Sequence, residues 1–338
     1  MTNATEKFEH AKKIYLSEQS AIGLSDDTIC NYSGRLRRFK EFWEQTEPEV
    51  DPTPDDIRNY RNMLLEAGLS KTTVKQYLIE LKGFFAFCCD DEFCLYDNNP
   101  VSKRMYPKVT DADDKLYEKI LSADDMKRLW KNQPPSDNQK QQWPRNYAMV
   151  VLLLDGKIRN LELLNLKLSD IDFGYNEIEI RSGKGKKRRW ITVSDISTSA
   201  IKLYLQSGIR PAYCTDDDLL FGSQAAKVQG LHPDKTERCH RGSRSWLSGL
   251  VERHIKAVTG KSGFRTHSLR HNGAILDLHT GVRKERLQAE LGHSSITTTE
   301  IYSGRLQSVR KTRDYFDVAA YRDQCAKENM RMLEALIA

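Results

Sequence analysis

The chain has 338 residues, of which 39% are hydrophobic and 30% are charged, a composition typical of a soluble globular protein with two domains. Its 53 basic and 47 acidic residues leave a net charge of +6, which favours a polyanionic partner only where the basic residues cluster. The first residues lack a secretory signal pattern and the strongest apolar run, 148–154, is too short to span a bilayer, so we expect a cytoplasmic protein without a membrane partner.

The first 96 residues carry three helix-capping patterns and no strand-like alternation. Ser25, Thr53 and Ser70 each precede a run with helical features, and the first run extends to about Gln45. Apolar residues, many of them aromatic, recur at a spacing of three to four, and we interpret this stripe as core rather than as a platform for stacked bases. The pattern predicts a helical bundle domain at 1–96.

A segment with turn signals follows at 97–118. It contains Asn98-Asn99-Pro100 and no helical stripe, so we assign it to a linker between domains. The second domain, placed at 119–316, opens with the capping pattern that begins at Ser122, and an apolar helix follows around Tyr147 to Leu154.

The second domain contains one β-hairpin among helices. Glu177–Ile180 and Trp190–Val193 alternate with period two on either side of a basic connection, which predicts two paired strands. Helical patterns return at 196–206, 244–258, 267–278, 283–291 and 297–315, and a last amphipathic helix at 319–336 lies in a separate C-terminal segment, 317–338. The predicted fold class is therefore mainly α with a small β-sheet (α+β).

The seven cysteines show no CxxC spacing, which indicates reduced thiols. Cys88, Cys89 and Cys94 form the one cluster in the sequence. Since no further Cys or His lies nearby to complete a zinc site, we interpret the cluster as a helix end packed in a core.

Two basic features of the second domain can bind phosphate. Arg159 follows the buried-looking helix and is presented at a turn, although an arginine in this position is by itself more often an exposed helix cap. The hairpin tip, Gly183 to Arg189, holds five cations in seven residues, and its Lys184 lies between two glycines where it can deliver a proton. A solvated charge run is the alternative interpretation of the tip.

The richest chemistry lies between 267 and 302. His267, Arg270 and His271 have the spacing that places three phosphate-seeking groups on one helix face, with Thr266 as a candidate cap; a zinc site is disfavoured because Arg270 would repel the metal. His293 follows Leu291-Gly292, and Tyr302 follows a polar stretch. A tyrosine hydroxyl can attack phosphorus when its neighbours stabilise the phenolate, but most of the 14 tyrosines are expected to be packing residues.

Taken in order, these residues resemble the tyrosine recombinase, or phage-integrase, family. The preceding helical domain looks like the core-DNA-binding (SAM-like) module of that family. The resemblance rests on Arg159-Asn160-Leu161-Glu162-Leu163, Gly183-Lys184-Gly185-Lys186-Lys187-Arg188, His267-Ser268-Leu269-Arg270-His271, Leu291-Gly292-His293-Ser294 and Thr298-Thr299-Glu300-Ile301-Tyr302.

The resemblance implies a site-specific DNA recombinase (integrase) that works without metal or other cofactor. It implies that Tyr302 attacks a DNA phosphate to give a 3′-phosphotyrosyl link, that Arg159 and Arg270 hold the non-bridging oxygens, and that Lys184 protonates the leaving 5′-oxygen. His267 would assist proton transfer and His293 would bind the phosphate. It also implies double-stranded DNA as partner, a tetramer that passes through a Holliday junction, and a C-terminal helix that docks on a neighbouring protomer.

Two positions depart from the family pattern, and a set of basic residues outside the motifs is expected to contact DNA. Where the family often has Thr-Gly before its first arginine motif, this chain has Gly156-Lys157, and Ser303 replaces the usual histidine after the tyrosine. The residues that we expect to contact DNA are Arg35, Lys71, Lys75, Lys186, Lys187, Arg188, Arg189, Arg241 and Arg244.

Three other functions are weighed against recombination. A type IB topoisomerase would share the residue inventory, but the helical N-terminal module and the Leu-Gly-His motif favour a recombinase. A DNA-binding homologue without catalysis would keep the fold and lose one of the six catalytic residue types, all of which are present. A metal-dependent nuclease or transposase would need two or three carboxylates gathered around a cation, and the sequence has no such motif.

Overall fold

The computed structural model describes residues 4–46, 50–110, 119–134, 136–181, 188–212, 214–222, 241–292 and 312–337. The chain forms two compact units, Met1–Lys115 and Leu116–Ala338. No helix in the described ranges combines the length and the apolar character needed to cross a membrane. The fold class is mainly α with one small sheet, as predicted.

The described residues of the first unit form four helices, and three of these begin at the predicted caps. The side chains of Ser25, Thr53 and Ser70 accept hydrogen bonds from backbone N–H groups three residues on, which satisfies donors that the first helical turn leaves unpaired. The bounds are α1 (Ala4–Ala21), α2 (Asp26–Glu44), α3 (Pro54–Glu66) and α4 (Lys71–Cys88), with a 3-10 turn at Lys103–Met105.

An aromatic core holds this bundle together. The Phe8 and Phe84 ring centroids lie 5.1 Å apart, as do those of Phe39 and Tyr60, and all four side chains are fully buried. The interpretation of the aromatic stripe as core is therefore confirmed. Cys88 at the end of α4 is buried in the same core.

The chain after α4 also packs on this unit. Val101 and Met105, within the segment assigned to the linker, are buried in the aromatic core, and the Asn99 amide donates to the Lys82 carbonyl over 2.9 Å. Two apolar side chains are too few to form a periodic pattern, which is why sequence analysis did not place this segment in the bundle.

The second unit is built around one buried helix. Every residue of this helix from Ala148 to Leu154 is fully shielded from solvent. The helices of the unit are α5 (Ala123–Trp130), α6 (Trp143–Asp155), α7 (Asn160–Leu164), α8 (Asp195–Gln206), α9 (Arg244–Thr259), α10 (Thr266–His279), α11 (Lys284–Leu291) and α12 (Thr312–Ile337), with 3-10 turns at Asp137–Gln142 and Leu168–Asp170.

The predicted hairpin is part of a three-stranded antiparallel sheet. Strand β2 (Glu177–Ile180) lies between β1 (Ile171–Asp172) and β3 (Arg189–Thr192), and Ile178 pairs with Ile191. Strand β1 has only two residues, too few for an alternation to be visible in the sequence.

Three further expectations are corrected. Helix α10 is capped at Arg265, and Thr266 is its first helical residue instead of its cap. Helix α12 begins at Thr312 instead of Ala319. Among the described cysteines, Cys214 is disulfide-bonded while the others are free, because absence of a CxxC motif does not address pairing between other cysteines.

Helix α12 packs on its own unit through polar contacts as well as apolar ones. The buried Asn329 amide donates to the Tyr147 hydroxyl and to Ser199 Oγ, each over 3.3 Å, and Arg322 lies 3.4 Å from the buried Asp155 carboxylate. These contacts connect α12 to α6 and α8, the helices on which the rest of the unit is assembled.

Helix α10 approaches α6 so closely that only glycine fits at 273. The Cβ of an alanine there would lie 1.8 Å from the Leu154 backbone oxygen. We predict that Gly273→Ala lowers the free energy of unfolding by at least about 3 kcal/mol, measured by urea denaturation. The control is Gly249→Ala in α9, where the nearest atom is the flexible end of Arg253 at 3.2 Å. Equal stability of the two variants would contradict the close packing.

Candidate active site

Three arginines meet at the C-terminal end of α11. Arg189 Nε donates to the Glu290 carbonyl over 2.8 Å, Arg270 Nη2 to the Leu291 carbonyl over 2.7 Å, and Arg159 Nη2 to the Gly292 carbonyl over 3.0 Å. The last carbonyls of a helix lack intrahelical partners and carry partial negative charge, so they bind cations well. We call Arg159, Arg189 and Arg270 the arginine cluster.

Glu162 neutralises part of this cluster from within the protein. Its carboxylate accepts from Nη1 and Nη2 of Arg189 over 2.9 and 2.8 Å, and from the backbone N and Nη1 of Arg159 over 2.8 and 2.9 Å. Burial alone would raise the pKa of Glu162, but the hydrogen bonds from Arg189 and Arg159 lower the pKa below its usual value. The carboxylate therefore stays ionised and fixes two guanidinium groups side by side.

The members of the cluster differ in exposure. The Arg159 side chain is 30% exposed and that of Arg189 12%, whereas Arg270 as a residue is only 1% exposed. Arg270 also donates from Nη1 to the Lys157 carbonyl over 2.6 Å, in addition to its contact with the end of α11. A planar guanidinium carries five N–H donors, so the two contacts to carbonyls fix the orientation of Arg270 without using all of its donors, and two oxygens of a tetrahedral phosphate fit such a planar fork.

Two of the three histidines of α10, His267 and His271, lie on its accessible side, whereas His279 at its end is buried. His267 is exposed and His271 half-buried, and their rings meet edge to face with centroids 4.2 Å apart. Near them, the Asn160 amide of α7 contacts Thr266 Oγ1 over 3.4 Å and the Arg244 carbonyl over 3.3 Å. These contacts hold the starts of α7, α9 and α10 together beside Arg159.

The structure describes three of the six candidate catalytic residues: Arg159, His267 and Arg270. It brings Arg159 and Arg270 together at the end of α11 and places His267 one turn before Arg270 on α10. Lys184, His293 and Tyr302 lie outside the described residues, as do Lys186 and Lys187. The described chain nevertheless reaches the cluster next to one end of each of the segments 182–187 and 293–311. Arg189 follows the hairpin tip, and Gly292, which accepts from Arg159, directly precedes His293.

The candidate DNA-contacting residues have different surroundings. Arg35 pairs with the nearly buried Glu80 and lies over the Tyr77 ring, beside a groove of about 560 Å³ between α2 and α4 that Arg37 and Arg38 also line. In the same unit, Lys71 is exposed and Lys75 half-buried. In the second unit, Arg188 is 73% exposed, Arg241 donates to Asn165 over 2.9 Å, Arg244 is exposed, and Arg189 lies in the arginine cluster.

Sequence reasoning missed Glu162 and Lys157, which the structure places in contact with the arginines. Glu162 left a signal, because a glutamate three residues after a helix start commonly accepts from the first backbone N–H. Lys157 left none beyond its departure from a glycine pattern. Among the described residues, no group of three or more His, Cys, Asp or Glu is arranged to hold a metal ion.

Comparison with known proteins gives a consistent result along most of the chain. Residues 119–307 match the sequence model of the phage integrase family, and residues 14–91 match that of the phage integrase N-terminal SAM-like domain. A tyrosine recombinase XerC of Bacillus licheniformis is 28% identical over 278 residues, which cover 82% of this chain and 85% of the relative. The XerC of Psychromonas ingrahamii is 28% identical over 287 residues, or 84% and 87% of the two chains.

Solved structures show the same fold. The XerH recombinase bound to its palindromic difH substrate superposes with a TM-score of 0.66 at 23% identity, over 84% of this chain and 78% of that one. A lambda integrase fragment, crystallised as a dimer on a core site, superposes with a TM-score of 0.62 at 18% identity, over 87% and 94% of the two chains.

We predict that Glu162→Gln destabilises the protein by about 3 kcal/mol near neutral pH, because it leaves the nearly buried Arg189 and the partly exposed Arg159 without their anion. The pKa of Glu162 is lowered on folding, so its contribution is complete above the ordinary value of 4.5 and is lost as the pH falls through the folded value. The difference in unfolding free energy between wild type and variant should therefore shrink on acidification below 4.5.

Chemical denaturation across a pH series measures this difference. The control is Glu252→Gln, which breaks a half-exposed pair with Arg265 at 3.6 Å and should cost less than about 1 kcal/mol. A Glu162→Gln effect that is as small as the control, or that does not change with pH, would contradict the role assigned to the buried carboxylate.

Proposed function

Because this chain belongs to the phage integrase family, we propose that it is a site-specific DNA recombinase that cuts and rejoins double-stranded DNA through a 3′-phosphotyrosyl intermediate. The observation that carries the proposal is the arginine cluster, which gathers two phosphate-binding guanidinium groups immediately before His293. The chemistry is phosphoryl transfer to and from a tyrosine, in which positioning and charge stabilisation provide most of the catalysis.

Each step has a named group. The Tyr302 oxygen attacks the scissile phosphorus and forms a new P–O bond, while the bond to the 5′-oxygen breaks and that oxygen takes a proton from Lys184. Arg159 and Arg270 bind the non-bridging oxygens as negative charge accumulates on them. His267 assists proton transfer at the tyrosine, and His293 donates to the phosphate.

The reverse reaction completes strand exchange. A 5′-hydroxyl from a second DNA attacks the phosphotyrosine, and Tyr302 leaves as the new phosphodiester forms. The energy of the original bond is conserved in the intermediate, so no nucleotide is needed. In this proposal Arg159, Arg270 and Lys184 supply the charge stabilisation and the proton, so that no metal ion is needed either. We propose that four protomers exchange strands in pairs through a Holliday junction in the cytoplasm. Because one face of α12 packs on α6 and α8 of its own unit, the docking on a neighbour is assigned to its exposed residues Met332, Leu336 and Ile337.

Both units contribute DNA contacts in this proposal. Arg35 and Arg189 are paired with Glu80 and Glu162, just as Arg159 shares the Glu162 carboxylate, so we propose that each contacts phosphate through guanidinium N–H donors that these pairs do not use. The groove between α2 and α4 adds Arg37 and Arg38 as candidates. The remaining contacts are assigned to Lys71, Lys75, Lys186, Lys187, Arg188, Arg241 and Arg244.

We predict that the wild type forms a covalent protein–DNA adduct that survives SDS on nicked suicide substrates in EDTA, and that Tyr302→Phe forms none. Removing the hydroxyl removes the nucleophile and leaves DNA binding intact, which gel-shift assays verify. Tyr175→Phe, at a tyrosine that is 79% exposed, is the control and should react like wild type. An adduct that persists in Tyr302→Phe, or one that needs metal, would overturn the assignment. Strand exchange between two sites, compared with relaxation of supercoiled plasmid, then separates recombinase from topoisomerase.

We predict that Lys75→Ala weakens DNA binding with little dependence on sequence and makes the slope of log Kd against log salt concentration shallower by about one unit. The reason is that loss of one phosphate contact releases about one counterion fewer on binding. Fluorescence anisotropy over a salt series measures the slope. Lys13→Ala, at an exposed lysine of α1, is the matched control. An unchanged slope for Lys75→Ala would remove Lys75 from the interface.

A further inference from the structure

Lys157 has a backbone conformation that lysine rarely adopts. Its φ angle is +52°, in the left-handed region that favours glycine, and it occupies the turn between α6 and α7, two residues before Arg159. A residue other than glycine keeps this left-handed backbone conformation only where the surrounding structure fixes it in place. The contacts of Lys157 therefore have to supply a specific stabilisation.

The side chain forms a buried junction between three helices. Its ammonium lies 2.6 Å from the Asp277 carboxylate of α10 and 3.4 Å from the Glu290 carboxylate of α11, and it donates to the Asp155 carbonyl of α6 over 2.8 Å. Only 5% of the Lys157 side chain is exposed. Burial lowers the pKa of the ammonium, but Asp277, Asp155 and Glu290 raise it above its ordinary value, so the lysine stays charged.

The backbone of the same residue holds a member of the arginine cluster. The Lys157 carbonyl accepts from Arg270 Nη1 over 2.6 Å, and Arg270 Nη2 donates in turn to the Leu291 carbonyl at the end of α11. One residue thus contacts Arg270 through its carbonyl and α11 through its ammonium. The two carbonyls that hold Arg270 belong to Lys157 and Leu291. The ion pair between the Lys157 ammonium and Glu290, the residue before Leu291, connects them.

We propose that Lys157 is a positioning residue for the reaction: its ammonium fixes the end of α11 against α10, and its carbonyl orients Arg270 toward the phosphate. The proposal rests on the proposed function, since the arginines that it positions are those that bind the scissile phosphate. A glycine at this position satisfies the backbone but supplies no charge between Asp277 and Glu290. Glu290 also pairs with Arg286 at 3.0 Å, so Asp277 is the acid that depends more strongly on Lys157.

Two variants of the full chain separate positioning from stability. Lys157→Met keeps the length of the side chain and removes the charge. Lys157→Gly with Asp277→Asn relieves the backbone strain and the unpaired carboxylate together, so its thermal stability should return toward that of wild type. In both variants we expect α11 to be held less firmly against α10, because neither contains the ammonium that pairs with Glu290.

The first measurement uses the free protein and does not depend on activity. Hydrogen exchange of the peptide covering 284–292 should be faster in both variants than in wild type. Lys261→Met is the matched control, because the ion pair that it breaks joins Lys261 to Asp125 of α5 in the same unit and involves neither α10 nor α11. It should lower stability and leave exchange at 284–292 unchanged. Wild-type exchange at 284–292 in Lys157→Met would overturn the inference.

The second measurement is the single-turnover rate of adduct formation on suicide substrates, at saturating DNA and well below the melting temperature. Both Lys157 variants should cleave about ten- to a hundredfold more slowly than wild type with little change in Kd, as expected for misplaced catalytic groups. Cleavage that recovers together with stability in Lys157→Gly/Asp277→Asn would show a merely structural role and overturn the proposal. Failure of the wild type to form any adduct would instead refute the proposed function, and the exchange experiment would still decide the inference.

Discussion

The end of α11 is the point on which the functional part of this protein depends. Three guanidinium groups donate to the carbonyls of three consecutive residues, Glu290, Leu291 and the capping Gly292. Positive charges gathered in this way repel one another unless negative charge compensates them. The compensation is internal: the helix end supplies partial negative charge, and the buried Glu162 supplies a full one. The positive charge of the cluster is therefore compensated within the protein itself, which lowers the cost of gathering and orienting these groups for the reaction.

Local features of the structure were predictable and long-range ones were not. Ser25, Thr53 and Ser70 cap the helices that the sequence indicated, because a cap depends only on residues within one turn. Arg159 and Arg270 were recognised from a pattern, but their convergence on the end of α11 depends on contacts between residues more than a hundred positions apart in one case. Short strand β1 and the packing of Val101 and Met105 left no periodic signal. The buried Glu162 and Lys157 were missed because a charged side chain is expected to be exposed unless its partners are known.

Stability and function are closely linked around this cluster. Gly273 allows α10 to approach α6, and the same approach brings Lys157 beneath Arg270. Where the family pattern often has a glycine, this chain has Lys157 in a left-handed backbone conformation. The ion pairs of Lys157 with Asp277 and Glu290 compensate for the strain of that conformation. A substitution at any of these positions therefore changes both the free energy of unfolding and the geometry of the phosphate site.

The most direct test of this account asks whether the arginines act on the charge of the scissile phosphate. Cleavage rates are measured for wild type and Arg159→Ala on a normal substrate and on one with a neutral methylphosphonate at the scissile position. We predict that Arg159→Ala lowers the rate about 100- to 1,000-fold on the phosphate and far less on the methylphosphonate, where one charged oxygen is absent. An equal loss on both substrates would contradict the claim that the cluster stabilises charge developing on the phosphate.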